Sequence, residues 1–518
     1  MTYLAVPISA KNPAQAKEQI NKAVTSGAEL LELRMDYLEN LSVGLLRALI
    51  EEVRKSSPAV PVIVTCRDKR EGGTIDYPSK LRLEVLVGAL EAGADFIDLE
   101  YRNFILQGNR TLIEKALSRN AKGRLILSAH DFEKRFDDIR SLYRQIRSAC
   151  PKAIPKLVYT ANHINDCFEA FDLLHETSGE RIVFCMGQAG LISRILAKKL
   201  ASFLTFASLD EQSATAPGQS TIDQFKKLYR FDSTNTDTQL YGVIADPVGH
   251  SLSPAIHNAC FADQGMNRLY LPLLVQGGRS GFDQFIDNTL ARPWLDFRGF
   301  SVTIPHKENA LNYVRAKNGF VEPLAEKIGA VNTLVLDEGR IAAYNTDYAG
   351  ALDAITSGMG ISRANLKSLP VAIVGAGGVA RAIVAGLSDA GAIIRIYNRT
   401  VSRAHELAVE FGCEFAPLGD LQSVDAELLV NCTSIGMHPN INQTPVPQEY
   451  LKPGMAVFDT VYNLAETLLL KQAKQVGAKT IDGVSMFINQ AAEQFKIFTG
   501  QNGNAKLMRK VVMEHFQC

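Results

Sequence analysis

Eight short apolar runs alternate with amphipathic stretches over residues 3 to 209, and this alternation restricts the fold of the first part of the chain more than any other feature. The runs are YLAVPI, LLELRM, VIVTCR, FIDLEY, RLILSAH, PKLVYT, RIVFCMG and FLTFASL. Segments with helical periodicity, such as AQAKEQINKAV and SRILAKKLA, separate them. Eight strand-then-helix repeats in this length predict a (β/α)8 barrel, whose functional side chains stand at the carboxyl ends of the strands.

Charged side chains fall at strand positions that a barrel would turn inward. Because side chains alternate along a strand, Glu32, Arg34 and Asp36 share one face of LLELRMD, opposite its leucines. A buried charge costs several kcal/mol unless it is paired or ligand-bound, so packing alone is a poor explanation for charges that converge from several strands. Further titratable residues near strand ends are Arg67, His130, Lys156 and Arg194.

Six motifs over residues 1 to about 228 together resemble type I 3-dehydroquinate dehydratase: ELRMD, TCRDKREGG, SAHDF, PKLVYT, MGQAGLISR and TAPGQ. The resemblance implies that Lys156 forms an imine, or Schiff base, with a substrate ketone, that His130 transfers the proton, and that Arg194 holds the substrate carboxylate. The other substrate contacts that it implies are Glu32, Arg34, Arg67, Glu71, Thr215 and Gln219.

The proposed chemistry places a demand on Lys156. An amine with an ordinary pKa is protonated at neutral pH and cannot attack a ketone, so we expect this side chain to be desolvated and to lie beside arginines. A lone lysine at the start of a strand is usually exposed, and a lone histidine usually satisfies a hydrogen bond. Six motifs in one order, at barrel spacing, favour the catalytic interpretation.

A polar run, FDSTNTDTQ, follows the barrel segment, has no apolar periodicity and is expected to contribute nothing to a core, so we predict a barrel domain over 1–228 and a linker over 229–240. The strands YGVIA, LYLPLLV and FRGFSVTIP, with the hairpin AVNTLVLDEGRIAAYN, then predict a substrate-binding α/β domain over 241–350, completed by 486–518. Residues 351–485 are expected to form a Rossmann dinucleotide-binding domain.

Motifs in the second half, across residues 241 to 518, resemble shikimate dehydrogenase: PVGHSLSPAIHN, SVTIPHKE, GAVNTL and YNTDYAG. The resemblance implies that Lys307 and Asp347 are the catalytic pair, and reduction of a ketone needs such a donor beside the oxygen. The family commonly has proline where Leu464 stands, so we expect a more flexible loop there. The implied substrate contacts are Ser251, Ser253, Thr303, Asn332, Tyr462 and Gln490.

The sequence AIVGAGGVARA places Gly375, Gly377 and Gly378 between a buried strand and a helix, where glycines let the backbone approach a pyrophosphate. At the end of the next strand, Arg399 stands where an NAD enzyme usually has a carboxylate. An arginine there favours the 2′-phosphate of NADP. The remaining expected cofactor contacts are Ala376, Val379, Asn398, Thr400, Arg403, Thr433, Ser434, Gly436, Met437 and Gly483.

The composition favours action on small molecules. Lys+Arg and Asp+Glu both number 55, so no net field attracts nucleic acid or an anionic membrane.

The eight cysteines never form CxxC, which indicates a reducing compartment and neither a zinc site nor a disulfide framework. Without a signal peptide or membrane-spanning run we expect a cytoplasmic protein, although a mature organelle protein would look the same. The oligomeric state stays open, a monomer included.

The two resemblances, in this order, are those of the bifunctional dehydroquinate dehydratase/shikimate dehydrogenase family. They imply dehydration of 3-dehydroquinate to 3-dehydroshikimate, followed by NADPH-dependent reduction to shikimate. One alternative is a dehydrogenase that prefers quinate and NAD. Another is a non-catalytic, quinate-responsive regulator, which would keep the folds but lose the chemical residues Lys156, His130, Lys307 and Asp347.

Overall fold

The computed structural model describes residues 1–56, 60–120, 122–213, 215–216, 218–337, 339–423, 425–462 and 466–517. The chain forms two compact units, one of residues 1–239, 267–277 and 284–292 and the other of residues 240–266, 278–283 and 293–518. Glu338 in the predicted hairpin turn and Leu464 in the loop predicted to be flexible lie outside the described residues. Within the described ranges, no helix is long and apolar enough to cross a membrane.

The first unit contains a sheet of eight parallel strands with the order β7-β6-β5-β4-β3-β2-β1-β8. Their bounds are β1 Tyr3–Ile8, β2 Leu30–Arg34, β3 Val62–Thr65, β4 Phe96–Glu100, β5 Arg124–Asp131, β6 Ile154–Thr160, β7 Ile182–Met186 and β8 Leu204–Phe206. The two end strands meet at their starts, where the backbone N–H of Phe203 donates to the carbonyl of Arg181 at 2.8 Å. The predicted (β/α)8 barrel is confirmed.

Helices follow the barrel strands as the periodicity predicts. They are α1 Pro13–Thr25, α2 Val43–Ser56, α3 Ser79–Glu91, α4 Tyr101–Phe104, α5 Gln107–Arg119, α6 Ile139–Ala149, α7 Cys167–Glu176 and α8 Leu191–Ile195. The start of α1 shows the local cause: the Asn12 side chain accepts a hydrogen bond from the Gln15 N–H, and Pro13 occupies the first helical position. Asn12 thereby satisfies an N–H group that has no partner inside the helix, and Pro13 has no N–H group that would need one.

The inward faces of the barrel strands change from apolar to polar toward their carboxyl ends. A buried apolar cluster inside the barrel includes Leu30, Ile63, Phe96, Ile126, Ile154 and Ile182. Two positions later on five of these strands stand the buried polar residues Glu32, Thr65, Asp98, Ser128 and Lys156, while β7 has Phe184 at this level. Because residues two apart share a face, the polar side chains follow directly from the alternation and lie on top of an apolar floor.

The polar run after the barrel is anchored at its first residue. Phe231 is 2% exposed, its ring lies edge-on to Phe225 with centroids 6.0 Å apart, and the Lys198 ammonium lies 4.9 Å from its ring centre. The expectation that FDSTNTDTQ contributes nothing to a core is therefore wrong at Phe231. The prediction followed from the polar residues of the run. The burial of Phe231 instead depends on contacts with Phe225 and Lys198, which lie outside the run.

The chain after the barrel continues with β9 Gln239–Ala245, α9 Ser253–Asp263, β10 Arg268–Leu274, α10 Gly278–Leu290, β11 Phe297–Val302, α11 Lys307–Ala316, β12 Phe320–Val321, α12 Pro323–Ile328, β13 Thr333–Asp337, β14 Arg340–Tyr344 and α13 Thr346–Met359. In the second unit, strands lie side by side in the order β9-β11-β13-β14-β12. The antiparallel pair β13 and β14 is the predicted hairpin. Residues at the end of β11, just before the start of β13 and at the start of α13 thereby come together.

The last sheet has the strand order β17-β16-β15-β18-β19-β20, with every neighbouring pair parallel. The strands are β15 Pro370–Val374, β16 Ile393–Asn398, β17 Glu414–Pro417, β18 Leu428–Asn431, β19 Ala456–Asp459 and β20 Lys479–Ile481, and the helices are α14 Gly378–Asp389, α15 Val401–Phe411, α16 Leu468–Gln475, α17 Gly483–Thr499 and α18 Ala505–Gln517. This order is that of a Rossmann fold, as predicted. Its ligand crevice lies where the order reverses, beyond the carboxyl ends of β15 and β18.

Candidate active sites

A cavity of about 70 Å³ lies in the barrel and collects every barrel residue that the sequence analysis assigned to catalysis or substrate binding. These lining residues are Glu32, Arg34, Arg67, Glu71, His130, Lys156, Arg194, Thr215 and Gln219. They come from five strands or the segments that follow them and from the loop after β8. Only the closed arrangement of strands brings them together.

Lys156 lies deep in this cavity with its side chain 5% exposed. Its Nζ donates to Asp98 Oδ2 at 2.8 Å, lies 3.6 Å from Glu32 Oε1, and stands 4.7 Å from the ring centre of Phe206. The expected burial is present, and one of the expected arginines, Arg67, lies close to the amine. Arg67 Nη2 lies 2.9 Å from the same oxygen, Asp98 Oδ2, so a carboxylate on β4 contacts both cations.

His130 is held by Glu71. Its ring Nδ1 lies 3.1 Å from Glu71 Oε2, and its backbone N–H donates to the same oxygen at 3.2 Å. Burial, together with the charges of Arg67 and Lys156, lowers the pKa of His130 well below its ordinary value, and burial raises the pKa of Glu71 to about 7. Nε2 makes no hydrogen bond within the described part of the chain. A neutral imidazole with one free ring nitrogen can accept a proton from a ligand.

Arg194 is a buried cation without a carboxylate partner among the described residues. It is 2% exposed, burial lowers its pKa to about 10, and its guanidinium lies 4.5 Å from the ring centre of Phe184. Its Nε has no hydrogen-bond partner in the part of the chain that the structure describes. A buried charge in this state is costly, and an anionic ligand would relieve the cost.

The other lining residues are oriented by near neighbours. Arg34 makes a two-point contact with Asp36, at 2.9 and 2.8 Å, which fixes its guanidinium beside the cavity. Gln219 Oε1 accepts hydrogen bonds from the backbone N–H of Thr215 at 2.9 Å and from its hydroxyl at 3.3 Å. The loop after β8 is thereby held with both side chains facing the cavity.

A larger cavity of about 400 Å³ lies in the second unit. It is lined by every residue assigned to the second substrate site, namely Ser251, Ser253, Thr303, Lys307, Asn332, Asp347, Tyr462 and Gln490. Val379 at the start of α14 and Gly483 at the start of α17 line it too. The substrate residues therefore share one cavity with the first turn of α14, the helix that follows the glycine-rich turn.

Lys307 and Asp347 form the closest ion pair of this cavity. Nζ of Lys307 lies 2.5 Å from Oδ2 of Asp347, and Nδ2 of Asn332 donates to Oδ1 of Asp347 at 2.9 Å. The backbone N–H of Thr346 donates to Asn332 Oδ1 at 2.8 Å. Because that N–H can only donate, the orientation of the Asn332 amide is determined and its NH2 group must face the carboxylate. Asp347 is thus fixed between an ammonium and an amide.

The remaining substrate candidates surround this pair. Ser253 is the first residue of α9, and its backbone N–H donates to the Ser251 hydroxyl at 3.3 Å. The ring of Tyr462 stacks on Phe487, with centroids 4.9 Å apart and planes at 7°. Thr303 and Gln490 complete the wall. The cavity therefore offers hydroxyl, amide, carboxylate and ammonium groups, which suits a small polyhydroxylated ligand.

The turn after β15 fits a dinucleotide pyrophosphate. Gly375 has φ +112°, a conformation that favours glycine, and a β-carbon there would lie 3.1 Å from the backbone of Cys432. β-Carbons at Gly377 and Gly378 would meet nothing within 4 Å, so the space beside the start of α14 is open. Anions bind at such helix starts.

Other expected cofactor residues are placed around the same crevice. Arg399 and Arg403 are exposed, and neither guanidinium forms an ion pair with any residue that the structure describes. Asn398 Nδ2 donates to the carbonyl of Thr400 at 2.8 Å.

A β-carbon on Gly483 would lie 2.3 Å from the carbonyl oxygen of Val461, so packing also requires glycine there. The loop after β18 carries Thr433, Ser434, Gly436 and Met437, and Ala376 lies within the glycine turn.

Four family models match the chain in sequence order. They are described as Type I 3-dehydroquinase over residues 4–236, Shikimate dehydrogenase substrate binding domain over 243–334, Shikimate / quinate 5-dehydrogenase over 360–458 and Shikimate 5'-dehydrogenase C-terminal domain over 483–513. Each model falls on the part of the chain that carries the corresponding motifs.

One relative spans almost the whole chain. The chloroplastic bifunctional 3-dehydroquinate dehydratase/shikimate dehydrogenase of Arabidopsis thaliana is 36% identical over 99% of this chain and 85% of its own length. The chain belongs to this bifunctional family. A shikimate dehydrogenase (NADP(+)) of Methanosarcina acetivorans is 42% identical over 54% of this chain and 99% of its own. A crystal structure of a shikimate dehydrogenase in complex with NADP+ matches with a TM-score of 0.50 and 39% identity, covering 55% of this chain and 97% of that one.

The family assignment confirms the predicted pair of enzyme activities and NADP as the cofactor of the dehydrogenase half. The two alternatives, a quinate dehydrogenase that prefers NAD and a non-catalytic regulator, are not favoured. All four chemical residues whose loss the regulator would require lie in the two cavities.

Some polar residues at these sites were missed by the sequence analysis. Asp98 and Ser128 contact the Lys156 and Arg67 network, and Ser128 Oγ donates to Asp98 Oδ1 at 2.6 Å. A signal was present, because the alternation applied to LLELRM also places Asp98 on the inward face of FIDLEY, with Phe96. In the second cavity, Gln494 supports the Asn332 backbone, its Nε2 donating to the Asn332 carbonyl at 3.1 Å. It lies on α17 without a distinctive sequence pattern.

Proposed function

We propose that the barrel dehydrates 3-dehydroquinate through an imine on Lys156 and that the second unit reduces the resulting 3-dehydroshikimate to shikimate with NADPH. The observation that carries the first part is the convergence of a buried amine, a neutral imidazole and an unpaired buried guanidinium on one cavity. Those groups are what an imine-forming dehydratase for a keto acid requires. The second part is supported by the cavity that Lys307 and Asp347 share with Val379, at the start of the helix that follows the glycine turn.

In the barrel, Lys156 Nζ attacks the keto carbon of the substrate, and loss of water gives the imine. His130 Nε2 then removes a proton from the neighbouring carbon, and the imine takes up the electron pair. The β-hydroxyl leaves as water with a proton returned by His130, and hydrolysis of the imine releases product and amine. Arg194 binds the carboxylate, while Glu32, Arg34, Arg67, Thr215 and Gln219 contact the ring hydroxyls and Glu71 orients His130.

In the second unit, NADPH supplies a hydride to the carbonyl carbon of 3-dehydroshikimate. Lys307 donates a proton to the carbonyl oxygen as negative charge develops on it. Asp347, held by Asn332, orients the ammonium and accepts a hydrogen bond from a ring hydroxyl. Ser251, Ser253, Thr303, Tyr462 and Gln490 contact the other hydroxyls and the carboxylate.

The proposed sequence of reactions can be tested on the intact purified chain. With 3-dehydroquinate and NADPH supplied together, we expect shikimate to accumulate and one mole of NADPH to be consumed, as measured by its absorbance, for each mole of shikimate formed. With NADPH omitted, 3-dehydroshikimate should accumulate instead. Absence of 3-dehydroshikimate from the second mixture would contradict the dehydratase assignment, and its accumulation unreduced in the first would contradict the reductase assignment.

Arg399 and Arg403 are proposed to bind the 2′-phosphate of NADP. Replacing both by alanine should raise the KM for NADPH about 10- to 100-fold, because charge-assisted hydrogen bonds to a phosphate contribute roughly 1.5–3 kcal/mol. The KM for NADH should stay unchanged. Arg395→Ala is a matched control, since this exposed arginine on β16 pairs with Glu414. Equal losses for NADPH and NADH would reject the 2′-phosphate assignment.

The location is proposed to be a reducing compartment such as the cytoplasm. Seven cysteines are free among the described residues, as such a compartment favours. The Arabidopsis thaliana relative is named chloroplastic, which makes an organelle the competing location. Microscopy of the tagged full-length protein distinguishes the two.

A further inference from the structure

Asp98 is a buried carboxylate that the dehydration steps above leave without a role. It lies on β4, is 1% exposed, and its Oδ2 accepts hydrogen bonds from Lys156 Nζ at 2.8 Å and Arg67 Nη2 at 2.9 Å. Its Oδ1 accepts from Ser128 Oγ at 2.6 Å. Donors from three other parts of the barrel therefore hold this carboxylate against the nitrogen that reacts.

Asp98 is poorly suited to accept the proton that Lys156 must lose before attack. Burial alone would raise the pKa of Asp98, but the charges of Arg67 and Lys156 and the hydrogen bond from Arg67 hold it well below its ordinary range. The contact with Arg67 does not depend on the charge of Lys156. The carboxylate therefore stays ionised while the lysine nitrogen passes through its amine and imine states.

The imine nitrogen needs such an anion. A neutral imine withdraws electrons weakly, whereas the protonated form is a strong electron sink, and a buried cation is stable only beside a compensating charge. The charged or titratable groups around this nitrogen are Glu32 from β2, Arg67 after β3, Asp98 and Glu100 from β4, and His130 from β5. Of the two carboxylates near Nζ, Asp98 is at hydrogen-bond distance and Glu32 is at 3.6 Å.

We propose that Asp98 is the counter-ion of the protonated imine. It accepts the hydrogen bond from the iminium N–H, which keeps the imine in its cationic form while His130 takes the proton from the neighbouring carbon. No bond to Asp98 forms or breaks, and the nitrogen proton stays on nitrogen. The inference rests on the proposed imine route and adds a catalytic residue outside the set that the sequence motifs supplied.

Asp98→Asn removes the charge and keeps the shape. Arg67 retains Glu100 Oε1 at 3.0 Å, so the variant does not deprive the Arg67 guanidinium of a carboxylate partner. We expect kcat for dehydration to fall about 100-fold, comparable with loss of one preorganised electrostatic contact. The alkaline limb of the pH profile should move to lower pH, because the iminium loses its proton more easily. Trapping of the ligand on Lys156 by cyanoborohydride, which reduces iminium ions, should decline at the same lower pH.

If the role of Asp98 is only structural, a different result is expected: kcat falls by the same factor at every pH, and the alkaline limb of the pH profile does not move. Asp98→Glu restores the charge and should return the limb toward its original pH. Asp137→Asn is a matched control from the same unit, because that carboxylate is 91% exposed, and it should leave rate and pH profile unchanged. A folded Asp98→Asn chain with the original pH limb would overturn the proposal.

A measurement on the unmodified chain covers the case in which Asp98→Asn does not fold. With ¹⁵N-labelled lysine and 3-dehydroshikimate in the absence of NADPH, the imine nitrogen should show the chemical shift of a protonated imine up to about pH 9, well above neutrality. A neutral imine at pH 8 would overturn the counter-ion role. If borohydride attaches no ligand to Lys156 of the unmodified chain, the imine route itself fails, which is a separate outcome.

Discussion

Replacement of Lys156 by methionine is expected to abolish dehydration of 3-dehydroquinate and to leave reduction of added 3-dehydroshikimate unchanged. Methionine fills similar space but carries no amine, so the imine cannot form, and we expect kcat to fall by about 10³-fold or more. The substitution should not unfold the barrel, because Asp98 keeps Arg67 at 2.9 Å and Ser128 at 2.6 Å. Binding of 3-dehydroquinate should persist, since Arg194 and the ring contacts remain.

The measurement is the rate of 3-dehydroshikimate formation without NADPH, with thermal denaturation to report folding and calorimetry to report ligand binding. Lys152→Met is the matched control, because Lys152 is an exposed lysine of the same unit. Dehydration that survives in Lys156→Met at more than a few per cent of the original rate would reject the imine. Loss of both activities from a folded variant would show that the two sites are not independent.

Replacement of Lys307 by methionine is expected to give the reverse pattern. Reduction should slow by about 10²- to 10⁴-fold, the usual contribution of a positioned proton donor, because nothing would protonate the carbonyl oxygen as hydride arrives. Asp347 keeps the hydrogen bond from Asn332 Nδ2 at 2.9 Å, so the carboxylate stays in place. The loss should therefore appear mainly in kcat, with a smaller change in KM.

NADPH absorbance with 3-dehydroshikimate as substrate measures this effect, and dehydratase activity in the same preparation shows that the barrel is intact. Lys327→Met is the matched control, because Lys327 is exposed on α12 in the same unit. A variant that keeps its kcat but binds 3-dehydroshikimate more weakly would make Lys307 a binding residue and would leave the proton donor unassigned.

Much of the fold was predictable because the signals are local. Each barrel strand is a short apolar run whose period of two places Glu32 and Arg34 on the inward face. The glycine turn at Gly375 lies between a strand and a helix, and its positive φ explains why glycine is used. The sequence placed the candidate residues that line both cavities because motifs in order identify a family, although the motifs themselves contain no distances.

Other features could not be predicted from local patterns. Phe231 was assigned to a linker because its neighbours in sequence are polar, yet it packs on Phe225 and Lys198. Lys156 was expected beside arginines, but Asp98, which contacts both Lys156 and Arg67, was not predicted. In both cases the residue that determines the environment of the side chain comes from another element. The polarity of adjacent residues in the sequence therefore does not predict the contact.

By itself, the sequence determined the number and order of the barrel strands, the Rossmann motif and the residues that are proposed to carry the chemistry. These depend on periodicity, turn residues and motif identity, which are all properties of contiguous segments. Only the tertiary structure decided which charge stands next to each reacting group. That choice depends on the stagger between strands and on the closure of the sheet, because a shift of one residue would turn a different side chain toward Lys156.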